Sequence, residues 1–244
     1  MPLQEEFEKQ GNFLFRYRGI LPIIIVLPAI AVLWFQLPDL KDHQQSSSHI
    51  IAYVVAFLGV FIRAYTVGFS SRNTSGRNTA EGQVADSVNT TGIYSIVRHP
   101  LYLGNFFMWL GVALLTHNGW FIMFFIALYM IYYERIMYAE EQFLRGKFGE
   151  AYTSWAAKTP AIIPDFSKFK SNTNTFSWKK VLKKEKTGIL LLNLLFLLFS
   201  AIESYDSISI FSDVSPWSYL FIASIGYYVI VKILDKSTTL FHGV

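Results

Sequence analysis

Six apolar stretches, most of them near twenty residues long, leave this chain few folds. In hydrocarbon every backbone N–H and C=O must find a partner inside the protein, so only a helix or a closed barrel spans a bilayer. A helix needs roughly 20 residues to cross about 30 Å. The stretches lie at about 19–37, 50–70, 101–116, 119–138, 187–202 and 216–234, and the third and fifth are short. Hydrophobic residues make up 52% of the chain and charged residues only 16%, with a mean hydropathy of +0.34, too apolar for an ordinary soluble domain. The expected fold is all-α: a polytopic transmembrane bundle of about six helices, with the fourth continuing as an amphipathic cytoplasmic extension.

The placement of Lys and Arg gives an independent orientation, because positively charged loops stay on the cytoplasmic side. Lys9, Arg16 and Arg18 precede the first stretch, Arg72, Arg77 and Arg98 lie between the second and third, and ten basic residues from Arg145 to Lys186 lie between the fourth and fifth. The alternate connections hold Lys41, the short His117-to-Gly119 turn, and an acidic loop with Glu203, Asp206 and Asp213. Both termini are therefore expected inside. No secretory signal is read at the amino terminus, since its first 15 residues are polar and mixed in charge. The formal net charge of +4 sits on the cytoplasmic loops, where anionic lipid would attract it. Nucleic acid is disfavoured as a partner, because these lysines are dispersed and carry no binding motif. With no cysteine in the chain, disulfides, thiolate catalysis and Cys-ligated metal are excluded, and no metal site is expected. Along the chain this gives a cytoplasmic segment 1–18, a membrane core 19–164, a basic linker 165–186 and a closing hairpin with tail 187–244.

Residues able to do chemistry gather at the cytoplasmic ends of the middle helices. In Arg98-His99-Pro100-Leu101-Tyr102-Leu103-Gly104-Asn105, Pro100 suits a first helical turn. Arg98 and His99 are then expected beside unpaired backbone donors at the positive end of the helix, a position suited to anions. Tyr102 and Asn105 project from the first turn, and Gly104 permits close approach by a ligand or a neighbouring helix. Farther on, Glu141 falls four residues after Met137 and three before Leu144, so a carboxylate interrupts an apolar stripe and calls for a partner. The turn at His117 to Gly119 makes the third and fourth helices antiparallel neighbours. Arg98, His99 and Tyr102 are thus brought towards Arg135, Glu140 and Glu141. The plainer readings are membrane-interface anchoring for Arg98 and Tyr102, and a salt-bridge cluster that locks the hairpin.

The string Gly92-Ile93-Tyr94-Ser95-Ile96-Val97-Arg98-His99-Pro100-Leu101-Tyr102-Leu103-Gly104, followed by Glu134-Arg135-Ile136-Met137-Tyr138-Ala139-Glu140-Glu141, Phe148-Gly149-Glu150-Ala151-Tyr152 and Ile163-Pro164, resembles the isoprenylcysteine carboxyl methyltransferase and phospholipid methyltransferase superfamily. The resemblance covers roughly residues 60 to 165. It implies an S-adenosylmethionine-dependent methyltransferase with its cofactor in a cytoplasm-facing pocket and a lipid or lipidated acceptor arriving from the bilayer. Carried onto this chain, it implies that Tyr94, His99, Pro100, Tyr102, Gly104, Glu140 and Glu141 line the cofactor site. Arg135, with Arg98 and Glu141, would stand at the reacting ends.

For the acceptor, Arg63, Arg72 and Arg77, with Asn105 and the hydroxyl- and amide-rich run Ser70 to Thr79, suit a charged head group, because Arg binds phosphate oxygens bidentately. An anionic acceptor, either a lipid phosphate or a prenylcysteine carboxylate, is expected first. Three alternatives stand beside it: N-methylation of a phospholipid amine, a membrane sterol-type reductase using NADPH, and a non-enzymatic scaffold or transporter. The last is disfavoured by helix centres almost devoid of ionisable residues. Oligomeric state is not legible in the sequence.

Overall fold

The computed structural model describes every residue except 1, 20, 41–44, 72–73, 75–82, 205–214 and 242–244. Eight α-helices are seen among the described residues: α1 Leu3–Tyr17, α2 Val26–Leu40, α3 Gln45–Phe69, α4 Pro100–Leu114, α5 Gly119–Phe148, α6 Glu150–Ala156, α7 Trp178–Glu203 and α8 Pro216–Ser237. A 3-10 turn, Leu21–Ile25, leads into α2. The described residues contain no β-strand, only an isolated antiparallel bridge between Gly92 and Lys170. Four segments are long and apolar enough to cross a membrane: Ser47–Phe69, Gly119–Phe148, Trp178–Glu203 and Pro216–Ser237. Two shorter apolar segments, Ile23–Pro38 and Pro100–Leu114, bring the total to the six expected.

Small residues decide which helices touch. A Cβ on Gly111 of α4 would stand 2.5 Å from both the Ala52 carbonyl oxygen and the Ala56 Cβ of α3. One on Gly104 would stand 2.5 Å from the Arg63 Cγ. Where lipid surrounds the helices, such close backbone approach is the main source of attraction between them. The third and fourth apolar stretches are antiparallel as the short turn requires, but the most extensive packing of α4 is against α3.

Three features differ from the sequence reading. The amino-terminal segment, read only as polar and mixed in charge, is a helix packed on α5 with Phe15 and Gly11 buried. The expected amphipathic extension of the fourth helix breaks at Gly149, whose φ of +53° favours glycine and turns the chain into α6. The basic linker is shorter than expected, because Trp178 to Lys186 already belong to α7, capped by the Ser177 side chain. Its remainder is fastened down: the Gly92 amide donates to the Lys170 carbonyl at 2.8 Å, and Asn172 Nδ2 donates to Tyr65 Oη at 2.8 Å.

Candidate functional site

The sequence from Ile93 to Tyr102 forms a 3-10 turn, a short connection and the start of α4, and it stands across from the last three turns of α5. At 30 residues, α5 runs to about 45 Å at 1.5 Å per residue. That exceeds a hydrocarbon layer of about 30 Å, and Glu140 and Glu141 stand in the final turns of α5. His99 is the residue immediately before α4, and its ring faces both carboxylates. His99 Nε2 lies 2.9 Å from Glu141 Oε1, and Nδ1 lies 3.6 Å from Glu140 Oε2. Tyr102 Oη donates to Glu140 Oε2 at 2.8 Å, and its ring stacks on that of His99 at 5.7 Å between centroids. Arg98 completes the cluster with Nε 3.0 Å from Glu141 Oε1, while its Nη1 donates to the Ala156 carbonyl at 2.6 Å.

These groups open into a cleft of roughly 800 Å³, counting the space continuous with solvent. Tyr94, Arg98, His99, Pro100 and Tyr102 form one wall, and Glu140, Phe143 and Leu144 of α5 another. Three contributors were not legible as site residues: Phe15 of α1, the segment Gln83 to Asn89, and Tyr152 with Trp155 of α6. Around this cleft several buried polar atoms make no hydrogen bond: Gln83 Oε1, Arg98 Nε, Tyr152 Oη and Trp155 Nε1. The Arg98 contact with Glu141 is thus an ion pair at an angle unfit for a hydrogen bond. Native interiors leave few such atoms without a partner, and their concentration around one cavity suits a ligand with both donors and acceptors.

Electrostatics tune the groups outside the membrane. Burial opposes charge on His99, but hydrogen bonds to Glu140 and Glu141 and their negative charge outweigh it, so its pKa is raised above the ordinary imidazole value. Burial, and then the charge of Glu140, push the Tyr94 hydroxyl far above its usual range, opposed by a hydrogen bond with Asn89. Tyr94 is therefore a neutral hydroxyl at any physiological pH.

Several expected site residues lie elsewhere. Arg135 turns away from the cleft: its guanidinium sits 3.4 Å from the Phe7 ring centroid of α1 and 3.2 Å from Glu134 Oε2. Five residues separate it from Glu140, and that step on a helix reaches a different face. Gly104 meets Gly59 and Arg63 of α3 rather than the cavity. Asn105 is absorbed by a buried network in which its Oδ1 accepts from Arg63 Nη1 at 2.6 Å and its Nδ2 donates to Tyr133 Oη at 3.2 Å. Arg63 is itself bound bidentately by Glu185 of α7, at 2.8 and 2.9 Å. The amides of Arg98 and His99 themselves donate to the carbonyls of Pro160 and Ala161 at 2.8 and 3.2 Å. Arg72 and Arg77 lie outside the described residues.

Comparison with known proteins shows what this part of the chain is similar to. The phospholipid methyltransferase family model matches residues 47–151, from the first turn of α3 into α6, and so takes in the wall from Tyr94 to Tyr102 and both glutamates. Residues 47–151 are thus similar to the phospholipid methyltransferase family. Curated relatives extend the likeness beyond that segment. Protein-S-isoprenylcysteine O-methyltransferase B of Arabidopsis thaliana is 28% identical over 151 residues, covering 61% of this chain and 74% of its own. The isoprenylcysteine O-methyltransferase of Schizosaccharomyces pombe is 40% identical over 79 residues, 31% of this chain and 32% of its own. A nickel-cobalt-cadmium resistance protein of Alcaligenes xylosoxydans xylosoxydans is 28% identical over 166 residues, 66% of this chain and 71% of its own. No solved structure matches the chain.

Proposed function

We propose that this chain is an S-adenosylmethionine-dependent membrane methyltransferase that modifies a membrane-anchored acceptor, with the cleft between the start of α4 and the end of α5 as its cofactor site. The observation that carries the reading is the meeting of His99 and Tyr102 with Glu140 and Glu141 at the wall of a cavity rimmed by hydrogen-bonding atoms without partners. When bound, S-adenosylmethionine supplies a methyl group on a positively charged sulfonium. Glu140 and Glu141 offer negative charge and acceptor oxygens to its ammonium and hydroxyl groups. Arg98 Nε offers a donor to its carboxylate, and the tyrosine faces attract a cation. The backbone bonds from Arg98 and His99 to Pro160 and Ala161 hold this wall rigid.

Transfer to an acceptor that is already ionised requires no base, because the incoming oxygen carries its electron pair. The protein's main contribution is then alignment, which in favourable intramolecular systems supplies roughly 7–11 kcal/mol. An anionic oxygen acceptor, either a prenylcysteine carboxylate or a lipid phosphate, is the first reading, supported by the O-methyltransferase names of the relatives. Arg72 and Arg77 are the proposed head-group contacts, while Arg63 and Asn105 brace the wall from inside the Glu185 network. Phospholipid amine N-methylation is the second reading, and the name of the matching family supports it. The charge distribution supports an orientation with both termini and the cleft on the cytoplasmic side.

Mass spectrometry of phospholipids and prenylated peptides after incubation with the purified protein and methyl-labelled S-adenosylmethionine tests the proposal. Label on a carboxylate or phosphate oxygen is the expected outcome, and label on an amine selects the second reading. Turnover of neither class, together with saturable binding of NADPH, contradicts methyl transfer.

A further inference from the structure

At the end of the bundle opposite the cleft, three elements bring together side chains that the transfer site does not use. His49 stands in the first turns of α3, His117 in the turn between α4 and α5, and Glu203 is the last residue of α7. Glu203 Oε1 lies 3.0 Å from His49 Nε2 and 3.1 Å from His117 Nε2, and its Oε2 lies 2.9 Å from His49 Nε2. The two imidazoles lie nearly parallel, 18° between planes with centroids 5.9 Å apart, and Trp217 of α8 backs His49 at 5.8 Å. The side chains of His49 and Glu203 are only 6% and 3% exposed, and that of His117 is 15% exposed. The backbone at His117 has φ +51°, left-handed for a residue that is not glycine. That conformation persists only where surrounding structure enforces it.

We infer that His49, His117 and Glu203 form a binding site for a divalent transition-metal ion of the Zn²⁺ and Co²⁺ class. One ligand atom from each residue lies within 4.8 Å of the other two. Two imidazole nitrogens and a carboxylate oxygen suit an ion of intermediate softness, four-coordinate, with a water or other small ligand completing the shell. Bonds of about 2.0–2.2 Å at tetrahedral angles separate ligand atoms by roughly 3.3–3.6 Å. The N–O separations of 2.9 to 3.1 Å here need to widen by only a few tenths of an ångström. Both Nε2 atoms converge on one carboxylate, so an ion takes the place of the protons they share with it, and each ring coordinates as the neutral form protonated at Nδ1. Because the three ligands come from α3, the α4–α5 turn and α7, the bound ion fastens three helix ends at the face away from the cleft. The site is chemically independent of methyl transfer and stands or fails without it.

The test is Co²⁺ and Zn²⁺ binding to the purified full-length protein in detergent after treatment with a chelator. The expected result is one Co²⁺ per chain with the strong visible bands of a four-coordinate ion, displaced by Zn²⁺, and a melting temperature that rises with either metal. His117→Ala and, with its shape kept, Glu203→Gln weaken binding by more than the roughly 10–100-fold that loss of an outer-shell partner costs. His99→Ala leaves the Co²⁺ spectrum unchanged. Wild-type protein that binds no Co²⁺, or bands that persist in the well-folded Glu203→Gln variant, would overturn the site and leave a hydrogen-bonded cluster.

Discussion

His99 carries the clearest consequence of charge at the level of single residues. Its folded pKa is raised, because the neighbouring carboxylates outweigh the effect of burial. The stability this pairing contributes is therefore fully present below the ordinary imidazole pKa of about 6.5, and is lost as pH rises through the higher folded value. Comparing melting temperatures of wild-type protein and His99→Gln across that range, the gap is expected to be widest on the acid side and to narrow on the alkaline side; a gap that widens with pH would contradict the pairing. The meeting of His99 and Tyr102 with Glu140 and Glu141 was legible in the sequence because a carboxylate on an apolar stripe demands a partner and the short turn says which helix supplies it, whereas Tyr94 entered only through the family resemblance. Arg135, and Gly104 as a ligand contact, fall away from the cleft for a common reason. A motif gives positions along the chain, whereas the face of the helix decides contact, and these two face α1 and α3. His49, His117 and Glu203 escaped notice because 154 positions separate the outer two, and nothing local marks them as neighbours.

Helix α1 was the main structural element missed. Its apolar side is a stripe of Leu3, Phe7, Gly11, Leu14 and Phe15, a helical spacing that could have been found despite the charges between. Packing explains why it matters: Phe7 meets Tyr138 edge to face at 6.0 Å, and Phe15 reaches the cleft. A Cβ on Gly11 would come within 2.7 Å of the Ala139 Cβ, one residue before Glu140. Gly11→Leu is thus expected to push α1 off α5 at a cost of about 1–3 kcal/mol, and to weaken S-adenosylmethionine binding at least several-fold without preventing membrane insertion. Radioligand binding by the purified variant checks this; wild-type affinity with unchanged melting would mean that α1 plays no part in the cleft.

Across the whole molecule, the apolar runs made the four long candidate spans and the two shorter apolar helices plain, while their edges moved wherever a local device took over, as at Gly149 and at Ser177. The buried Arg63–Glu185 pair shows the limit of hydropathy reading, since it joins α3 to α7 through charges that no apolar window reveals. Orientation can be measured cleanly because the chain has no cysteine of its own. A single cysteine at exposed Ser154 of α6 is expected to react with a membrane-impermeant maleimide only after permeabilisation, and one at exposed Gly119 without it. The reverse pattern would place the cleft on the outer side. The central claim is that the cleft lined by His99, which Glu141 holds in place, takes the methyl donor. Equilibrium binding of labelled S-adenosylmethionine to purified wild-type, His99→Ala and Glu141→Gln proteins measures it most directly. The account predicts saturable binding by the wild type and its loss in both variants while they still insert and melt cooperatively; wild-type affinity in both would contradict it.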